Sequence, residues 1–342
     1  MESINYSFKK KTQIMRNLFL ALAIFTCLFC NAQKTIAEEF ADTIDENELK
    51  AMLYVYASDY FGGRETGERG QKIAVDFLKD YYINQGIAPA AGTEDYFQKM
   101  QLTIKGKAIN TENVVAIIPG SEIPNEYIVI SAHLDHIGTR NGEVNNGADD
   151  DGSGTVAILE IAEAFNKAVK NGHGPKRSIV FLHVTGEEKG LLGSDYYANN
   201  PLYPLEETVA NLNIDMIGRL DPKREDKDPN YIYLIGSDRL SQELHEISED
   251  MNTKYTQIKL DYIFNRVEDP NRFYYRSDHY NFAKNNIPVI FYFNGTHEDY
   301  HRPGDTPDKI NYAILEKRTK LIFHTAWELA NRNERIKLIV KP

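Results

Sequence analysis

From residue 127 onward, short apolar runs alternate with helical patterns, and this constrains the fold more than any other feature of the chain. The runs at 127–132, 179–184 and 289–293 carry almost no polar side chain on either strand face, and 210–214 is apolar apart from Asn211 and Asn213. A strand apolar on both faces must be covered on both, which a largely parallel sheet between layers of helices provides. Helical periodicity fills the intervals at 154–169, 189–199, 239–251, 279–285 and 311–331. Two amphipathic helices are expected earlier, at 46–61 and 70–86. The second has Ala74, Phe77, Leu78 and Tyr81 spaced three to four apart, and Gly62-Gly63-Arg64 separates the two. The polar stretch 221–230 reads as a solvated loop and not as a boundary. The expected architecture is a single three-layer α/β/α domain with a mixed, mostly parallel central sheet.

Ligands of such sheets bind beyond the carboxyl ends of the strands, and those ends are rich in carboxylates and histidines. His133-Leu134-Asp135 follows the first run, with Asp135 spaced to support His133. The stretch NGADDDGSG at 146–154 then leads into a helix. Capping the helix N-terminus explains one or two of Asp149, Asp150 and Asp151 but not all three; a cation explains the surplus. Glu187 and Glu188 leave the 179–184 run, so one carboxylate can bind metal while its neighbour acts as a base toward water. Asp215 sits inside the apolar stretch NIDMIG, where a lone carboxylate is costly unless paired or metal-bound. After the last run, His301 has Asp305 available behind it.

Composition removes several alternatives. The 342 residues carry 39 Lys plus Arg against 50 Asp plus Glu, a net charge of -11, which argues against a nucleic-acid partner. Two cysteines can build neither a disulfide framework nor a thiolate-rich zinc module. Both, Cys27 and Cys30, lie in the N-terminal segment. Lys9, Lys10, Lys11 and Arg16 precede the uncharged apolar run 17–30, and Asn31-Ala32-Gln33 follow it. That order is expected of a signal peptide covering 1–33, with Met15 as an alternative start. The run falls short of the roughly 20 apolar residues of a comfortable span, so export is favoured over a permanent anchor. Cleavage would remove four basic residues, Glu2 and both cysteines, leaving 34–342 as the mature domain, without a membrane span and near a charge of about -14.

Taken together, the strand-end motifs resemble the aminopeptidase Y-like family of co-catalytic zinc exopeptidases. Secreted bacterial leucyl-type aminopeptidases, glutamate carboxypeptidases and glutaminyl cyclases are among its members. The resemblance extends over about 45–335 and rests on SAHLD at 131–135, GADDDGSG at 147–154, GEEKGLLGS at 186–194, LNIDM at 212–216, RSDH at 276–279 and Tyr300-His301. It implies two Zn²⁺ ions held by His133, Asp150, Glu188, Asp215 and His301. Asp150 would bridge them, His133 and Asp215 completing one site and Glu188 and His301 the other. Glu187 would be the general acid/base, Asp135 and Asp305 would support the histidines, and Tyr300 would stabilise the oxyanion. Three carboxylates and a bridging hydroxide balance the +4 of two zinc ions, and bound water ionises near neutral pH.

The function this implies is an exported aminopeptidase, expected to be a monomer, that releases N-terminal residues from peptides. A carboxypeptidase or glutaminyl cyclase of the same fold stands as the alternative, with Arg266, Arg272, Arg276 and Arg302 as candidate carboxylate binders. A non-catalytic binding ectodomain is disfavoured because the whole ligand set is present. His136, His183 and His279 are read as structural, and most of the 21 tyrosines as packing residues.

Overall fold

Residue-by-residue alternation builds the sheet at the centre of the molecule. In β4 (Ile123–His133), Ile128, Ile130 and Ala132 face one hydrophobic cluster, while Tyr127 and Val129 face another. The computed structural model describes residues 34–93 and 95–339, so the expected signal segment 1–33 lies outside the described residues. Residues from Phe40 onward form one compact unit.

The strands of the main sheet, besides β4, are β1 (Ala88–Pro89), β2 (Phe97–Ile104), β3 (Lys107–Ile118), β5 (Arg177–Val184), β6 (Thr208–Ile214), β7 (Tyr231–Ile235), β8 (Lys259–Asp261) and β9 (Val289–Phe293). Their order among the described residues is β1-β3-β5-β4-β6-β9-β7-β8, with β2 also paired to β3. β4 runs parallel to both β5 and β6, Ser131 lying opposite Leu182 and Asn213. β9 runs parallel to β6, with Tyr292 opposite Ile214. The four expected strands are therefore the parallel centre, and their carboxyl ends share one edge. Antiparallel pairs β3/β5 and β7/β9 flank them.

Helices α1 (Glu46–Tyr56), α2 (Arg69–Gln85), α3 (Gly154–Lys170), α4 (Leu192–Asn199), α5 (Gln242–Met251), α6 (His279–Ala283) and α7 (Tyr312–Asn331) fall close to the expected ranges. Leu53, Leu78, Ile158, Phe165 and Phe323 from α1, α2, α3 and α7 share a cluster with Ile128 and Phe181 of the sheet. Tyr197 and Phe282 from α4 and α6 join Val129 and Leu182 on the opposite face. The three layers are as expected.

Two elements depart from expectation. The first expected helix stops at Tyr56, and residues 59–64 form a tight turn in which Gly62 and Gly63 have positive φ. Gly63 has no room for a side chain, since a Cβ there would lie 2.5 Å from the Asn145 carbonyl oxygen. The turn is no mere spacer: it buries Arg64, which donates to the carbonyls of Leu134, Asn146 and Gly147 and thereby ties the end of β4 to the aspartate loop. The loop at 221–230 is exposed over most of its length, as expected, and departs only in being anchored by two buried residues, with Asp221 accepting from Tyr233 and the Arg224 guanidinium 3.8 Å from the Tyr231 ring centroid.

Candidate metal centre

The three consecutive aspartates do three different jobs. Asp151 turns inward, where its carboxylate accepts the amides of His133, Gly154 and Met216, capping α3 and fixing the ends of β4 and β6. Asp149 accepts from the Gly218 amide and the Ser153 hydroxyl and lies 3.2 Å from His297 Nε2. Only Asp150 faces the other strand ends, and its peptide bond to Asp151 is cis. Their environments push the neighbouring carboxyls apart. Burial raises Asp151 well above the usual carboxylate range. Burial also opposes ionisation of Asp150, but His136, His133 and His301 overcome it and hold that carboxyl well below the usual range.

Each oxygen of Asp150 meets a different set of donors. Oδ1 lies 3.1 Å from His133 Nε2, which is in turn 3.6 Å from Asp215 Oδ1. Oδ2 lies 3.2 Å from His301 Nε2 and 3.7 Å from His136 Nδ1. Glu188 closes that second group, with Oε1 2.8 Å from His136 Nδ1 and Oε2 3.1 Å from His301 Nε2.

These spacings suit a cation. Ligands on bonds of 2.0–2.1 Å to a tetrahedral zinc are about 3.3 Å apart, and the separations here scatter around that length. The tautomer of His133 points the same way. Its Nδ1 lies 3.0 Å from the main-chain carbonyl of Asp135, which can only accept, so in the neutral imidazole Nε2 presents its lone pair to two carboxylates. Lone pair and carboxylates repel unless positive charge sits between them. Burial alone would lower the pKa values of His133 and His301. Asp150 and Asp215 hold the first well above its usual range, and Asp150 and Glu188 hold the second up to about 10. The donors are nitrogen and oxygen throughout, which suits zinc.

The surrounding hydrogen bonds orient the donors. Ser277 donates to Asp215 Oδ2 at 2.6 Å and accepts from Asn213, which accepts from Ser131. The Asp135 carboxylate accepts from Thr66 and from the Glu187 amide. Asp135 thus reaches His133 through its carbonyl and not, as expected, through its carboxylate. The Asp305 carboxylate is occupied by the amides of Asp149 and Asp150, so it fixes the aspartate loop and does not sit behind His301 as expected.

Glu187 borders the centre beside Asp150 and Asp215. Burial raises its carboxyl well above the usual range; His133 opposes this, and Asp215 and Glu188 reinforce it. Tyr300 stacks on His301 with ring centroids 3.9 Å apart. Burial and the nearby carboxylates, Asp150 foremost, raise its phenol. Phe273, Phe291, Phe293, Met216 and Arg276 complete a small pocket that opens onto Asp150, Glu187 and Asp215.

All the sequence-identified carboxylates and histidines thus converge at one edge of the sheet. His136, read as structural, lies inside the centre. The spacing His133-Leu134-Asp135-His136 was the available signal, masked because no strand periodicity governs residues past the strand end. Ser277 and Thr66 carried no signal, because a single hydroxyl has meaning only once its partner is placed. His183 and His279 are buried, burial lowers both to about 3, and they lie outside the centre as expected.

A three-layer α/β/α fold with imidazoles and carboxylates gathered at the strand ends defines a zinc-exopeptidase-like hydrolase. The chain belongs to Peptidase family M28, whose profile matches residues 113–326, and it is therefore a metallopeptidase. A probable leucine aminopeptidase of Trichophyton verrucosum is 31% identical over 311 residues, 82% of this chain and 80% of that one. The LapA aminopeptidase of Legionella pneumophila superposes with a TM-score of 0.67 at 22% identity, over 87% of this chain and 74% of the other. The glutaminyl cyclase of Porphyromonas gingivalis superposes with 0.65 at 18% identity, over 82% and 97% respectively. The fold alone therefore accommodates either reaction.

Proposed function

We propose that the chain is an exported aminopeptidase whose centre takes two zinc ions. His133 and Asp215 would hold one, Glu188 and His301 would hold the other, and Asp150 would be shared by both. The observation that carries this reading is the division of Asp150, with Oδ1 directed to His133 and Oδ2 to His301. A carboxylate with one partner would not be flanked on both oxygens by separate imidazole–carboxylate groups. When bound, two such ions acidify a water and polarise a scissile carbonyl.

The chain's own residues supply the rest. Glu187 takes a proton from the attacking water and returns it to the leaving amine. Its amide bond to Asp135 fixes the turn that presents it. Tyr300, stacked on His301, points its phenol at the developing oxyanion. Phe273, Phe291 and Phe293 hold the terminal side chain and exclude water. The 34–342 segment serves as the mature domain and acts as a monomer on peptides.

A second reading has one observation behind it. Arg276 lines the same pocket and offers a cation to a substrate carboxylate, as a carboxypeptidase needs. Aminoacyl-anilides assayed beside N-blocked dipeptides separate the two. Hydrolysis of leucyl-anilide with no release from the blocked dipeptide is expected; the reverse pattern would replace the aminopeptidase with a carboxypeptidase.

A further inference from the structure

The imidazole of His136 has no role in the five-residue ligand set, yet the fold goes to some length to place it. The residue is fully buried, and neither ring nitrogen makes an aimed hydrogen bond. A buried polar group without a partner costs free energy and calls for an explanation. Its main chain is pinned by the bond from His136 N to the Arg64 carbonyl. Its ring fills space that only a glycine at 147 leaves open, because a Cβ there would lie 2.6 Å from His136 Cγ. On its other side the ring meets His301 edge-on, with centroids 5.8 Å apart and planes at 68°.

Nδ1 is the informative atom. It lies 2.8 Å from Glu188 Oε1 and 3.7 Å from Asp150 Oδ2, and its bond direction is aligned with neither oxygen. A hydrogen bond would be aimed at one of them. A metal ligand needs no such alignment, and His133 Nε2 and His301 Nε2 likewise each lie within 3.6 Å of two carboxylate oxygens in their own groups. His136, Asp150 and Glu188 together bring one donor atom each within 4.8 Å of one another.

We propose that His136 Nδ1 is a further ligand of the ion held by Asp150, Glu188 and His301. The inference rests on the metal centre proposed above and deepens it. The second site then has two imidazoles and two carboxylates, the first site one imidazole and two carboxylates. Nitrogen donors favour zinc over hard cations, so the second site fills first and exchanges its ion more slowly. The two ions are inequivalent because of this residue.

Zinc-edge X-ray absorption on the zinc-loaded full chain counts imidazoles through their outer-shell scattering, and elemental analysis of the same sample counts zinc. Three imidazoles per chain are expected in the parent protein and two in both H136A and H136Q, the glutamine keeping most of the buried volume. Zinc titration by calorimetry should show the tighter of two sites weakened by about 10–100-fold in both variants, the order of effect typical at metal sites. A residue that merely oriented Glu188 by a hydrogen bond would leave the imidazole count at two in the parent and unchanged on substitution, and that result overturns the proposal. One imidazole lost per chain supports it whether one zinc or two are bound. A zinc count of one would overturn the two-ion reading alone, so the two failures are distinguishable.

Discussion

The carboxylate of Asp305 accepts the main-chain amide of Asp150 at 3.0 Å, and the same carboxylate accepts that of Asp149. The side chain proposed to be shared by the two ions is thus aimed by a residue 155 positions away. Asp305→Ala would leave two buried amides unpaired, each costing roughly 1–3 kcal/mol. Loss of an outer partner typically lowers metal affinity by about 10–100-fold. We expect a lower melting temperature and weaker binding of both ions in Asp305→Ala. Zinc titration checks this, with Asp305→Asn retaining part of the effect because one oxygen remains. Unchanged affinity in the alanine variant would show that the loop holds its shape without Asp305.

Glu187 and Asp150 separate chemistry from binding. Glu187 lies near enough to His133 to feel its charge but belongs to neither group of donor atoms, so Glu187→Gln should keep its zinc. Losing the proton carrier should lower kcat by about 10²–10⁴-fold. Asp150→Ala removes an oxygen from both donor groups at once, and elemental analysis of the purified variant should find neither ion retained. Near-parental turnover by Glu187→Gln would sink the assigned role. Zinc retained at parental level by Asp150→Ala would sink the bridge.

Ser277 gives a one-sided test of the same centre. Its hydroxyl donates to Asp215 Oδ2, and Asp215 belongs only to the His133 group. Ser277→Ala should weaken the first ion by about 10–100-fold and spare the second. Stepwise zinc titration would show one transition moved and one in place. Equal loss at both sites would mean that Ser277 acts through the whole strand edge and not through Asp215.

Sequence pattern carried the parallel centre of this fold because β4, β5 and β9 carry runs apolar on both faces, and β6 departs from that only at Asn211 and Asn213. It carried the site because carboxylates such as Asp215 in NIDMIG interrupt those runs at a cost only a partner can offset. The antiparallel flank was not identified. In β2, Met100 and Leu102 are buried between exposed Lys99, Gln101 and Thr103, an alternation that is present but short and half polar. Contacts made across the chain left no local trace, as with Arg64, three of whose four carbonyl partners come from residues 134, 146 and 147. The asparagine of Asn294-Gly295-Thr296, which matches the N-glycosylation acceptor pattern, shows the converse. Its side chain is fully buried, accepting from the Arg219 amide and donating to the Gly295 carbonyl, so a match in sequence is closed to modification in the folded protein.

Far from the metal centre, Glu160 of α3 sets a pH dependence on stability. Burial raises its carboxyl to about 8; the bond from the Asp45 amide opposes this, and Glu48 and Glu163 reinforce it. Lys167 is the cation nearby, and it pairs with Glu163 at 2.8 Å. The folded state therefore holds a proton that the unfolded chain releases near its ordinary carboxylate value of about 4.3. Stability from neutral Glu160 is fully present below that value and is lost as pH rises toward 8, because the folded state binds more protons across that window. Glu160→Gln is neutral at every pH and can still accept from the Asp45 amide. The melting temperature of the variant should match the parent near pH 4.5 and exceed it by a few degrees at pH 8, a shift corresponding to roughly 1–2 kcal/mol. A difference between variant and parent that stays constant from pH 4.5 to 8 would show that Glu160 is ionised in the folded protein throughout.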